Sequence, residues 1–199
     1  MKKEELLNLV IKDIPLVNDN NVFGITFFAP PGAGKSTVAK ILNEKTGLYV
    51  TANDKIRRIA ESIGIDVNEN RQLIEEVAND RTVYMLKNGT SMIIDANMQF
   101  FWQKAQENFT NHNANLFFVK IDCSEDSIIK RIENRALNFE NNKENYSRAL
   151  VEDYYKYKEK SEQKPIPEEL VYFTINTDTT IENIENQVDE LIKKLNNRG

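Results

Sequence analysis

Residues 29–36 read Ala-Pro-Pro-Gly-Ala-Gly-Lys-Ser and follow directly on an apolar run, Val22 to Phe28. Two prolines and a glycine end a strand there, and Lys35 to Asn43 takes up a helical pattern, so the chain passes from strand to tight loop to helix. In that setting several backbone N–H groups and a helix N-terminus converge on one point, which is what phosphate oxygens require. Gly32 and Gly34 keep bulky side chains out of the way. Lys35 supplies a mobile positive charge for β- and γ-phosphates, Ser36 a hydroxyl for Mg²⁺ and Thr37 a further hydroxyl. Pro31, Gly32, Ala33, Gly34, Lys35, Ser36 and Thr37 are thus the expected nucleotide-binding residues. Ala29 stands where the usual motif has its first glycine. The plainer reading, a helix-capping turn with its lysine in solvent, is disfavoured by the strand–loop–helix context.

Four more apolar runs have the content of buried parallel strands: Leu48 to Ala52, Ser91 to Ala96, Leu116 to Asp122 and Val171 to Ile175. Helical patterns fall between them at Asp54 to Ile63, within Glu69 to Lys87, at Phe100 to Phe109 and at Glu125 to Leu137. Ile181, Ile184, Val188, Leu191 and Leu195 give the last helix one apolar face. The alternation predicts an α/β fold of the P-loop NTPase type: a five-stranded parallel sheet with helices on both faces and a ligand site beyond the carboxyl ends of its strands. With 199 residues, one domain over residues 21–199 is expected, preceded by a surface helix and connection over 1–20. The polar segment Asn138 to Asn145 lies where a small lid, about 131–150, would sit.

Composition narrows the partners. No apolar stretch approaches the roughly 18 residues of a membrane span, and a net charge of −5 argues against a protein that coats nucleic acid. One cysteine, Cys123, and one histidine, His112, leave no internal disulfide and no zinc centre to build. A cytoplasmic setting is expected.

The other strand ends add chemistry. Asp54 and Arg57 are three apart at a helix start and share a side; a carboxylate there can take a proton from an incoming hydroxyl, and a guanidinium can hold an anionic substrate. Asp54 as an N-cap with Arg57 as a surface charge is the alternative. Asp95 ends the third strand, where P-loop proteins place an acid that holds Mg²⁺ or its waters; an Asx turn is the alternative. Asn97 is a weaker candidate for orienting substrate. Arg131 and Arg135, four apart on one helix face, can close over the phosphates and exclude water, or lie in solvent. Phe100, Phe101, Trp102 and the tyrosines at 154, 155 and 157 read as helix packing, Cys123 as unreactive and His112 as a loop residue.

Gly32-Ala33-Gly34-Lys35-Ser36-Thr37, Asp54-Lys55-Ile56-Arg57, Ile94-Asp95-Ala96-Asn97 and Arg131 with Arg135, in this order, resemble the P-loop kinase group of polynucleotide 5′-hydroxyl kinases, zeta-toxin-like kinases and small-metabolite kinases, with an AAA-type ATP-binding domain. The resemblance implies a nucleoside-monophosphate-kinase-like fold with a small lid. It implies ATP and Mg²⁺ as cofactors, Asp54 as general base, Arg57 on the acceptor phosphate, Arg131 and Arg135 on the donor phosphates, and Asn176 to Thr179 near the adenine. Among hydroxyl acceptors a polynucleotide 5′ end comes first, with a sugar, nucleoside or antibiotic close behind. A non-catalytic ATP-dependent switch and a plain ATPase are the rivals. No guanine-reading Asn-Lys-x-Asp follows the fourth strand, so ATP is expected over GTP.

Overall fold

The computed structural model describes residues 2–138 and 150–197, so most of the polar segment expected as a lid lies outside the described residues. Five strands form a parallel sheet flanked by helices: β1 Phe23–Phe28, β2 Tyr49–Ala52, β3 Met92–Asn97, β4 Asn115–Asp122 and β5 Val171–Asn176, in the order β2-β3-β1-β4-β5. Each begins and ends within a residue of the apolar run that predicts it. The helices are α1 Lys2–Ile11, α2 Lys35–Thr46, α3 Asn53–Ser62, α4 Arg71–Lys87, α5 Trp102–Thr110, α6 Glu125–Asn138, α7 Val151–Gln163 and α8 Ile181–Asn196. No described helix is long and apolar enough to cross a membrane.

The chain divides into two compact units. The first holds residues 1–26, 42–96 and 102–117. Its core joins Leu6 and Val10 of α1 to Ile56 and Ala60 of α3 and to Ile74 and Val77 of α4. Spacings of three and four put each pair on one helix face. The expected N-terminal surface helix therefore forms and buries a stripe, while Lys3 on its outer side bridges Glu76 at 3.1 Å and Asp80 at 2.9 Å of α4. Buried strand hydroxyls are satisfied along the sheet: Thr51 Oγ1 donates to Ile93 O and Thr26 Oγ1 to Ile94 O. The register pairs Val50 with Ile93 and Ala52 with Asp95.

The second unit holds residues 27–41, 97–101 and 118–199. Phe28 stacks on Phe118 with ring centroids 4.8 Å apart, which anchors the end of β1. On α8, Ile184, Val188 and Leu191 are buried and the helix packs on β5. Ile181, expected on the same face, is 55% exposed, because it is the first helical residue, just after the Thr180 cap whose Oγ1 accepts from Asn183 N. The helix expected from Phe100 begins at Trp102; a turn closed by Phe101 N to Met98 O precedes it and leaves Phe101 54% exposed. Phe100 packs on α7, with Tyr157 5.7 Å away and Lys160 Nζ over its ring.

Candidate active site

The loop between β1 and α2 belongs to the second unit. Gly32 has φ +84° and Gly34 φ +92°, a region that side chains with a Cβ rarely adopt. Thr37 N and Val38 N donate to Gly34 O, so the helix is wound from the last glycine onward. A helix that starts at such a loop presents backbone N–H groups at its N-terminus, an arrangement suited to an anion. Ala29 has no positive φ among the described residues; its N–H donates to Asn97 Oδ1 at 3.3 Å. That position needs no glycine here, which accounts for the departure from the usual motif. Lys35 and Thr37 are half-buried and Ser36 is exposed.

Behind the loop stands a relay that joins Arg131, an expected site residue, to Thr177, within the segment expected near the adenine. Thr177, buried just past β5, donates through Oγ1 to Ala33 O at 2.6 Å. Arg131 of α6 donates Nη2 to Thr177 O at 2.6 Å and Nη1 to Thr177 Oγ1 at 3.3 Å and Cys123 Sγ at 3.2 Å. A Cβ on Gly34 would lie 3.4 Å from Arg131 Nη1, so the guanidinium sits directly against the loop. Of the two arginines expected together on α6, Arg131 is drawn into this relay, and Arg135, one turn on, is half-buried.

A second network holds the strand end beside the loop. Asn97 Oδ1 also accepts from Gln99 N at 3.2 Å, so this side chain serves the backbone. Gln99, buried, donates to Lys164 O and accepts from the Tyr157 hydroxyl. Burial pushes the Tyr157 phenol up to about 12, against the lowering effect of Asn97. The tyrosine run on α7, expected as packing, thus includes one polar anchor.

The first unit carries the remaining expected residues. Asp54 is the second residue of α3, and the N-cap is Ala52 with no side-chain cap, so Asp54 is not used as a cap. Instead Arg57 Nη1 donates to Asp54 Oδ1 at 2.9 Å, with the two side chains 54% and 64% exposed. Asp95, half-buried, lies in register with Ala52, two residues before Asp54. Arg81 on α4 holds the same corner from below, donating to Ala52 O at 3.0 Å. Sequence reading passed over it, although its spacing from Val77 and Met85, four residues each way, puts it on the buried stripe of α4.

Within the second unit the loop suits a phosphate group: a cradle that a Cβ would disturb, and the N-terminus of α2 with the Ser36 hydroxyl exposed beside it. Among the described residues no cluster of three or more His, Cys, Asp or Glu could hold a metal unaided. Magnesium in such sites usually takes one or two protein ligands and completes its shell with phosphates and water.

The family model of the AAA domain matches residues 25–160, more than half of the chain. A cytidylate kinase of Archaeoglobus fulgidus is 47% identical over 53 residues, 26% of this chain and 29% of that kinase; the chain thus matches under a third of that relative's length. A suggested kinase from Chloroflexus aurantiacus superposes with a TM-score of 0.63 at 16% identity, covering 86% of this chain and 98% of that one. Shikimate kinase of Acinetobacter baumannii superposes with a TM-score of 0.54 at 14% identity over 91% and 97% of the two chains. The five-stranded parallel sheet flanked by helices agrees with these matches: the chain belongs to the AAA domain family and has the fold of the P-loop kinases.

Proposed function

We propose that the protein is an ATP-dependent phosphotransferase acting on a small acceptor, a nucleotide or a hydroxyl-bearing metabolite. The observation that carries this is the glycine cradle of residues 32–34 braced by Thr177 and Arg131. Ranking a small acceptor above a polynucleotide 5′-hydroxyl, the first expectation from sequence, rests on the likenesses to cytidylate and shikimate kinases and on the acidic net charge of −5.

In this reading the loop amides and Lys35 bind and orient the triphosphate, and Arg131 and Arg135 neutralise charge on the transferring group. Ser36 and Asp95 would hold Mg²⁺, which when bound supplies charge neutralisation at the phosphates. Asp54 takes the proton of an acceptor hydroxyl as the acceptor oxygen bonds to the γ-phosphorus and the bond to the leaving ADP oxygen breaks. Arg57 turns to an anionic group of the acceptor. Exposed ion pairs contribute less than about 1 kcal/mol, so its present bond to Asp54 is easily exchanged.

The test incubates the protein with γ-labelled ATP and Mg²⁺ against cytidylate, other nucleoside monophosphates, shikimate, sugars, nucleosides, antibiotics and 5′-hydroxyl oligonucleotides, with Asp54→Ala alongside. Label on a small hydroxyl compound, lost in Asp54→Ala while ATP still binds, is the expected result. Label on a nucleotide phosphate that survives in Asp54→Ala would keep the kinase and remove the base, because a phosphate oxygen is already ionised. Label on an oligonucleotide end would restore the polynucleotide reading. No transfer despite ATP binding would sink the phosphotransferase in favour of a nucleotide-dependent switch.

A further inference from the structure

Arginine is rarely fully buried without a paired acid, yet Arg81 in the middle of α4 is 2% exposed. Its guanidinium donates Nη1 to Ala52 O at 3.0 Å and Nη2 to Asn53 Oδ1 at 3.4 Å, while Nε has no partner. Among the described residues no carboxylate pairs with it. Burial lowers its pKa to about 10, which still leaves it protonated at neutral pH, so the fold keeps an unpaired cation in its interior. A buried charge of this kind is costly, and an apolar side chain of similar volume would serve packing as well or better. The two groups it grips explain its retention. Ala52 is the last residue of β2 and Asn53 the first of α3; the helix has no side-chain N-cap; and Asp54 follows immediately, with Arg57 one turn later.

We propose that Arg81 is a positioning residue that locks the β2–α3 corner through Ala52 and Asn53 and thereby sets Asp54 and Arg57 for phosphoryl transfer. The proposal rests on the reading of Asp54 as the proton acceptor. It accounts for the residue type: the planar fork presents two donors at fixed separation, which the single ammonium of lysine cannot reproduce. Both terminal nitrogens reach that one corner, Nη1 at the end of β2 and Nη2 at the first residue of α3.

The experiment compares Arg81→Lys, Asn53→Ala and the double variant that joins these two, with Asp54→Ala alongside, by amide hydrogen exchange across α3 and by kcat and KM for ATP and for the acceptor that the panel identifies. Asn53→Ala leaves the buried charge in place, so it decides the matter should Arg81→Lys fail to fold. Displacing a catalytic group by about 1 Å can cost on the order of a hundredfold. The expected result is a kcat reduced about ten- to a hundredfold with KM for ATP within about twofold, faster exchange across α3 with α2 unchanged, and a double variant no slower than Arg81→Lys, since both changes act through one corner. Wild-type kcat and wild-type α3 exchange in a folded Arg81→Lys, beside an inactive Asp54→Ala, would overturn the proposal. Full turnover in Asp54→Ala would instead remove the reading beneath it, and α3 exchange, which needs no acceptor, would then show whether Arg81 holds the corner.

Discussion

Replacing Gly32 by alanine should damage the protein more than the same change at Gly34 or Gly47. Two independent costs meet there. At φ +84° an L side chain is strained by about 1–2 kcal/mol. The new Cβ would also stand 2.9 Å from Ile132 Cγ1 and 3.1 Å from Ile128 Cγ2, and both isoleucines are buried core residues with no open side to turn toward. Overpacking of that kind costs about 1–3 kcal/mol, so the sum is about 2–5 kcal/mol, or a fall in Tm on the order of 5–15 °C for a chain of this size. At Gly34 the Cβ meets only ordinary contacts, at 3.4 Å, and at Gly47, φ +71°, nothing within 4 Å, so each should lose about 1–2 kcal/mol from conformation alone. The assay is thermal unfolding with and without Mg²⁺-ATP. A ligand at a hundred times its Kd stabilises by about 2.7 kcal/mol; that rise should persist in Gly47→Ala and vanish in Gly32→Ala. If Gly32→Ala melts with Gly47→Ala and keeps the full ATP-dependent rise, the packing of the loop against α6 is not what holds the phosphate cradle.

The other anchors give narrower expectations. Thr177→Val removes the hydroxyl shared by Ala33 and Arg131 and should cost about 1–3 kcal/mol of stability together with ATP affinity measured by calorimetry, whereas Thr177→Ser should retain both; an unchanged affinity in the valine variant would remove the relay from nucleotide binding. Tyr157→Phe leaves Gln99 Oε1 without its donor and should lose about 1–2 kcal/mol in urea unfolding at neutral pH. The phenol also sets a pH dependence. Its folded pKa of about 12 lies above the ordinary 10, so the unfolded chain ionises first: this stabilisation is complete below pH 10 and is lost as pH rises toward 12. Unfolding curves across that window should fall more steeply for wild type than for Tyr157→Phe, and parallel curves would refute burial as the cause.

What the sequence made legible was whatever is settled within a few residues. The phosphate loop is contiguous, and its two glycines, lysine and serine state their backbone demands in eight positions; the strands are apolar runs whose ends the structure reproduces to within a residue. The side chains that brace the site are of another kind. Thr177 reaches Ala33 across 144 positions, Tyr157 reaches Gln99 across 58 and Arg81 reaches Ala52 across 29. Such pairings depend on the strand order β2-β3-β1-β4-β5, which hydrophobic periodicity does not encode. Arg81 is the instructive case, because local pattern did mark it: Ile74, Val77, Arg81 and Met85 recur at spacings of three and four, and all four are buried. A charged residue on an apolar stripe is a conflict between two local signals, and passing over it discards both. The cost of burying a cation means that such a conflict survives only where the charge holds something in place. Here the two groups it grips, Ala52 O and Asn53 Oδ1, form the turn leading into Asp54, so on the proposed reading a buried charge on α4 marks the same corner as the motif that contains the candidate base.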